Sequence, residues 1–147
     1  MTADPRSDGA GKIAVLIVES DARVRRGIRL VIESFPHLEV AGEVPSAEAA
    51  LGFVANAPVG VVIVNLEPST TAEGLEIVRE LSRKGCSVVA MSVRSGLGSP
   101  AFAAGAVAFV EKDERGAAGL VEAMRAASSG LSSSPGQFGV VHTGPEG

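Results

Sequence analysis

The feature that most constrains the fold of this chain is a set of five short apolar runs, each followed by a longer segment with helical spacing. The runs span residues 13–18, 38–44, 59–64, 87–93 and 107–110. The first of them, "IAVLIV", is branched and apolar on both faces, which is typical of a strand covered by helices on each side. The runs therefore predict the strands of a parallel sheet.

The segments between and after these runs place apolar side chains on one face of a helix. They predict helices over residues 22–35, 46–58, 72–85, 99–106 and 116–130. Asp21 or Ser20 can cap the first helix, Ser46 caps the second, Gly85 ends the third, and Ser99 followed by Pro100 begins the fourth. Strict alternation of strand and helix, joined by right-handed crossovers, predicts an α/β fold with an open, doubly wound sheet.

Size and composition narrow the class of protein further. A chain of 147 residues suits one domain, and 46% hydrophobic residues suit a globular one. The longest apolar runs are far shorter than the ~20 residues of a membrane span, and the first twelve residues do not resemble a secretory leader. We therefore expect a cytoplasmic protein. The single Cys86 is expected to be a core residue.

The charge of the chain disfavours direct binding to nucleic acid. The net charge is −4, and there is no Trp or Tyr on which bases could stack. The first helix carries four arginines, Arg23, Arg25, Arg26 and Arg29. In an acidic chain we interpret them as a solvated helix face rather than an anion-binding patch.

Polar side chains follow the strands where a doubly wound sheet places its ligands, beyond the carboxyl ends of the strands. The segments concerned are Glu19-Ser20-Asp21, Asn65-Leu66-Glu67-Pro68, Ser92 and Lys112-Asp113. No Ser/His/Asp constellation and no complete phosphate-binding glycine motif accompanies them.

Over residues 12–131 the chain resembles the receiver domain of two-component response regulators. The segments that carry the resemblance are "VLIVESDARVRRGIRLVIES", "VVIVNLEPSTTAEGLEIVREL", "VVAMSV" and "AGAVAFVEKDE". Lys112 followed by Asp113 rather than Pro is most similar to receivers of the LuxR/NarL type. The resemblance implies the flavodoxin-like receiver topology, a three-layer fold around five parallel strands in the order 2-1-3-4-5.

The resemblance also exposes a departure at the phosphorylation site. In the family, an acid pair after the first strand and an Asp ending the third strand hold Mg²⁺, and that Asp accepts the phosphoryl group. Here the acceptor position is Asn65, and the acid pair falls on Glu19 and Ser20. An amide cannot be the nucleophile that forms an acyl phosphate, and Mg²⁺ favours several anionic oxygens. Asp21 lies one residue late and is better suited to capping the helix.

Three further positions match the family's switch apparatus. Ser92 corresponds to the strand-four hydroxyl, Lys112 to the strand-five amine, and Phe109 to the rotating aromatic. Each also has a structural explanation, as a turn residue, a solvated amine and a core residue respectively. With no acid at Asn65, we hypothesise that Lys112 pairs with Glu19 and holds the domain in one state.

These observations predict an atypical receiver, not an enzyme, that signals by protein contact without aspartyl phosphorylation. We expect no cofactor, weak or lost Mg²⁺ binding, and no contact with DNA or membrane. We expect a protein partner or a second copy to bind through residues 101–125 or through the first and last helices. Two alternatives stay open: a sensor of a small ligand, and the receiver half of a LuxR/NarL-type transcriptional regulator, with residual phosphotransfer to Glu67 or Asp21. Residues 1–11 are expected to be a disordered tail and residues 132–147 a flexible one.

Overall fold

Strands and helices form along the predicted segments. The computed structural model describes residues 11–94, 96–111, 118–130 and 140–142. The strands that match the apolar runs are β1 Ile13–Val18, β2 Leu38–Val44, β3 Val61–Asn65, β4 Ser87–Ser92 and β5 Ala108–Glu111. The helices are α1 Ala22–Glu33, α2 Ala47–Asn56, α3 Thr71–Arg83, α4 Gly98–Ala103 and α5 Ala118–Gly130, and a 3-10 helix, Pro68–Thr70, precedes α3.

The strands form one parallel sheet in the order β2-β1-β3-β4-β5, which confirms the predicted fold. A sixth strand, β6 Val140–His142, pairs in parallel with β5 and extends that edge of the sheet. The sequence did not predict this strand, and it lies within the segment expected to be a flexible tail. The other residues of that segment, and residues 1–10 of the predicted amino-terminal tail, lie outside the described residues.

The core lies on both faces of the sheet, because side chains of successive strand residues point to opposite faces. In β1, Val15 and Ile17 join the cluster under α1 and α5, while Leu16 and Val18 join the cluster under α2, α3 and α4. All four are buried. The double coverage explains why these strands read as continuous apolar runs.

Local signals fix where several helices begin and end. The Asp21 side chain caps α1 and accepts hydrogen bonds from the backbone N–H groups of Arg23 and Val24. Ser46 caps α2 by accepting from the backbone N–H of Ala49. Gly85, with a φ of 96°, follows α3 in the left-handed region that favours glycine. These three predictions are confirmed.

The start of α4 differs from the prediction. The sequence placed the cap at Ser99, but the helix begins at Gly98, and its first flanking residue, Leu97, makes no side-chain capping bond. Pro100 is thus the third helical residue, where its missing N–H is still not needed for an intrahelical bond. None of the helices in the described ranges is long and apolar enough to cross a bilayer.

Candidate functional site

A cavity of about 560 Å³ lies at the carboxyl ends of β1 and β3. Its walls come from the tips of these two strands, from the segments after β2 and β3, from the first turn of α2 and from the first two turns of α3. Because β1 lies between β2 and β3 in the sheet, the loops after β2 and β3 stand on either side of the β1 tip. The topology thus gathers residues from four distant segments of the chain.

Asn65 is the last residue of β3 and forms part of the cavity wall. Its side chain is half-buried, and its backbone is paired with Met91 of β4. The Oδ1 atom is shielded from solvent and has no hydrogen-bond partner among the described residues. Asn65 therefore lies at the cavity, and its side chain has an acceptor with no described partner.

Glu19 follows the end of β1 and is only 4% exposed, although it also lines the cavity. Its Oε2 accepts a hydrogen bond of 3.0 Å from the backbone N–H of Asp21. Its Oε1 is buried without a partner among the described residues. Val18 and Val64 are paired in the sheet, so Glu19 and Asn65 leave adjacent strands at the same level. Two residues that each carry an unpartnered acceptor oxygen thus follow neighbouring strands of the sheet.

Ser20 and Glu67 close one side of this region. The exposed Ser20 hydroxyl donates a hydrogen bond of 2.7 Å to Glu67 Oε2. Glu67 lies in the loop after β3, immediately before the 3-10 helix that begins at Pro68. The Ser20 hydroxyl, at a position where the resemblance implies an acid, is therefore hydrogen-bonded to the loop after β3.

Asp21 does not take part in the cavity. Its carboxylate accepts from the N–H of Arg23 at 2.8 Å and from that of Val24 at 3.4 Å. It is not among the residues that line the cavity. The prediction that it caps α1 instead of replacing a lost acid is confirmed.

Of the remaining predicted site residues, Ser92 and Phe109 do not line the cavity. Ser92, the last residue of β4, is fully buried, and its Oγ accepts from the backbone N–H of Arg94 at 3.0 Å. Phe109 is fully buried in the core cluster beneath α2, α3 and α4. Lys112, and with it the hypothesised pair with Glu19, lies outside the described residues.

Sequence reasoning missed the contribution of α2 and α3 to this site. Glu48 lies in the first turn of α2 and Glu73 in the first turn of α3, and both line the cavity together with Glu76. A usable signal did exist. The strand order implied by the resemblance sets the loops after the second and third strands beside the first strand. The acids in the first turns of the two following helices could therefore have been predicted to lie near the site.

The resemblance implies a Mg²⁺ ion at the tips of β1 and β3, and the described donors do not fit it. They include no group of three His, Cys, Asp or Glu side chains positioned to hold a metal ion. One unpaired carboxylate oxygen of Glu19 and one neutral amide oxygen of Asn65 remain. Mg²⁺ demands near-ideal octahedral coordination by oxygen, usually with anionic ligands.

Two of the four arginines on α1 make ion pairs with β2 while their side chains stay partly exposed. Arg25 Nε lies 3.2 Å from Glu43 Oε1, and Arg29 Nη2 lies 2.6 Å from Glu43 Oε2, so both side chains tie α1 to β2. The hydrogen bond to Glu43, with a further one to Glu33, raises the pKa of Arg29 above its ordinary value. Arg23 and Arg26 are exposed, as predicted.

Comparison with known proteins identifies the family. A family model described as "Response regulator receiver domain" matches residues 15–125. Among solved structures, the isolated REC domain of RcsB from Salmonella enterica serovar Typhimurium with the phosphomimetic BeF3− has 19% identity and a TM-score of 0.73, over 90% of this chain and 95% of that one. A LuxR-family two-component response regulator from Aurantimonas sp. SI85-9A1 has 24% identity and a TM-score of 0.73, over 87% and 90%.

A third structure comes from a different kind of response regulator. The response regulator domain of CheB from Thermotoga maritima is 23% identical with a TM-score of 0.71, over 84% of this chain and 99% of that one. A search of curated proteins found no significant match. These likenesses show the fold, and the family model covers most of the sequence. The chain belongs to the response regulator receiver domain family.

Proposed function

We propose that this receiver domain signals in the cytoplasm by contact with a protein partner and does not accept a phosphoryl group on an aspartate. The observation that carries the proposal is that the residue at the tip of β3, which lines the cavity, is the amide Asn65 and not an acid. An acyl phosphate forms only when a carboxylate attacks phosphorus. The amide of Asn65 supplies no such nucleophile.

No neighbouring acid is a good substitute for an aspartate at this position. Asp21 is held by two backbone N–H groups at the start of α1. Glu67 accepts the Ser20 hydroxyl from the next loop, and Glu19 is buried with one oxygen held by a backbone N–H. Each carboxylate accepts at least one structural hydrogen bond, although Glu19 keeps one oxygen without a described partner. This supports a domain without phosphotransfer or other enzymatic activity.

The side chains at these positions also favour weak or lost Mg²⁺ binding. A receiver needs the ion to neutralise charge on the phosphoryl group during transfer. With Ser20 bound to Glu67 and a neutral amide at Asn65, Glu19 is the one anionic donor left among the predicted pocket residues. A domain of this kind would respond to the presence of its partner and not to phosphate.

The proposed output surfaces are the face built from α4, β5 and α5, or the pair of helices α1 and α5. Two large apolar side chains are exposed in the described parts of the chain: Val93 after β4 at 60% and Leu30 on α1 at 64%. One lies next to each proposed surface, and an exposed apolar side chain near a functional face is a natural contact for a partner or a second copy. We infer a protein partner or homodimer, with no direct contact to DNA.

The decisive experiment treats the chain with acetyl phosphate and Mg²⁺ and measures its intact mass. We expect no phosphoryl adduct. The matched variant Asn65→Asp should label weakly, because Ser20 still supplies no second acid, and the double variant Ser20→Asp/Asn65→Asp should label more strongly. An acid-labile adduct on the unchanged chain would overturn the proposal. Its loss in Glu67→Gln or Asp21→Asn would then identify the acceptor and favour a receiver with residual phosphotransfer.

A further inference from the structure

The cavity beside Asn65 has the size of a small-molecule site and a strongly acidic wall. Its volume of about 560 Å³ lies within the roughly 300–1,000 Å³ of typical ligand pockets. The carboxylates that line it are Glu19, Glu48, Glu67, Glu73 and Glu76, and none of its described lining residues is Lys, Arg or His. The wall therefore repels anions and attracts cations.

Part of this acidity has a simpler explanation. Glu48 and Glu73 lie in the first turns of α2 and α3, where a helix favours negative charge. Glu76 lies 3.4 Å from Arg79, and Glu67 accepts from Ser20. A cluster of acids at two helix starts would occur in many proteins without any ligand.

The independent observation is that two of the residues lining the cavity, Glu19 and Asn65, each carry a buried oxygen without a partner among the described residues. Glu19 is 4% exposed, and its Oε1, like Asn65 Oδ1, finds no hydrogen-bond partner among the described residues. Buried polar atoms are nearly always paired, since leaving one unpaired costs about 1–3 kcal/mol. Both oxygens are acceptors, so the group that is missing is a donor.

A small organic cation fits these acceptors better than a metal ion does. An ammonium group needs two or three acceptors and a single compensating charge, which Glu19 and Asn65 can supply. The last torsions of Glu and Asn side chains rotate broadly at low energy, so each oxygen can turn toward the cavity. Val18, Ala47 and Ile77 provide apolar wall for a methylene chain.

We propose that the cavity binds a small aliphatic diamine. One ammonium group donates to Glu19 Oε1 and Asn65 Oδ1, the methylene chain lies against Val18 and Ile77, and the second ammonium group faces the glutamates at the starts of α2 and α3. The proposal goes beyond the signalling role inferred above. It concerns ligand binding alone, and it is an alternative to the hypothesised pair between Lys112 and Glu19, because both would use the same carboxylate.

The test is isothermal titration of the full chain with putrescine at low ionic strength. Two compounds of matched length serve as controls: 1,4-butanediol, which is uncharged, and succinate, which is anionic. We expect binding of putrescine and none of either control. Equal heats for putrescine and butanediol, or no binding of putrescine, would overturn the proposal.

Variants then locate the site. Glu19→Gln keeps an acceptor for the Asp21 backbone N–H but removes the buried charge, and it should weaken putrescine binding about ten-fold or more, since one charge-assisted hydrogen bond is lost. Glu73→Gln, at the outer wall, should weaken it less. Glu80→Gln, on α3 but not in the cavity wall, is the matched control and should bind like the unchanged chain.

Two further outcomes decide the question. Unchanged affinity in both Glu19→Gln and Glu73→Gln would contradict this site, and the thermal midpoint of each variant shows that it is folded. Mg²⁺ that displaces putrescine at equal concentration would mean that the acceptors serve a metal ion and would refute the diamine. The phosphorylation experiment reads mass rather than binding heat, so failure of one proposal is distinguishable from failure of the other.

Discussion

The interior of the strands and their carboxyl ends differ in how completely their side chains are packed and hydrogen-bonded. Along β3, the residues from Val61 to Val64 are fully buried and alternate between the two core clusters. One step further, Asn65 ends the strand with a buried oxygen that has no partner among the described residues, and Glu19 does the same after β1. The interior is fully packed, whereas the tips keep unused hydrogen-bonding capacity.

This contrast explains how the fold can tolerate different residues at its strand tips. The sheet depends on many apolar side chains, each of which contributes a share of the burial energy. The site depends on single groups at Glu19, Ser20 and Asn65, whose chemistry adds little to packing. A substitution at a strand tip is therefore expected to cost the fold less stability than a substitution in the core.

The largest expected effect separates two residues of the same strand. Ile63→Ala should lower the free energy of unfolding by about 2–5 kcal/mol, because it opens a cavity in the fully buried core. Asn65→Ala should change the free energy of unfolding by less than about 1 kcal/mol. The amide oxygen that is removed has no described hydrogen-bond partner that would be left unsatisfied. Urea denaturation of both variants measures the difference. A loss of similar size at Asn65 would break the contrast and assign the amide a structural role.

A smaller effect tests whether Asp21 belongs to the scaffold or to the site. Asp21→Ala should cost about 1 kcal/mol, because α1 loses the acceptor for its first N–H groups. Asp21→Asn keeps a good capping residue and should cost only a few tenths of that. Thermal and urea unfolding of the two variants decide it. Equal losses of stability in the two variants would show that the negative charge of Asp21 matters. Asp21 would then be assigned to the acidic pocket and not only to the helix cap.

The sequence predicted what depends on repeated patterns and on local signals. Strand β1 and strand β2 match the predicted ranges at both ends, and the caps at Asp21 and Ser46 follow from preferences of single residues. The order of the strands came from the resemblance and is confirmed by the sheet. Each of these features is set by many residues or by near neighbours in the chain.

What the sequence did not predict depends on where distant side chains meet. The bond from Ser20 to Glu67 joins residues 47 positions apart, and it forms only because two loops lie side by side. The pairing of β6 with β5 brings residues near 140 to the sheet edge, after a Ser-, Gly- and Pro-rich stretch that indicated a tail. The unpartnered oxygens of Glu19 and Asn65 likewise follow from side-chain geometry, which no periodic pattern encodes.

The smallest effect concerns the edge of the sheet, where ion pairs add to the apolar packing of α1 against β2. Glu43 is 26% exposed and pairs with both Arg25 and Arg29, so Glu43→Gln should cost less than about 1 kcal/mol and less still in high salt. Because the pKa of Arg29 is raised above an already high value, its guanidinium stays charged and its share of this stability is constant around neutral pH. Glu80→Gln, which loses only a looser pair with Arg83, is the control. A loss of several kcal/mol at Glu43 would mean that this ion pair, rather than the buried face of α1, holds the helix on the sheet.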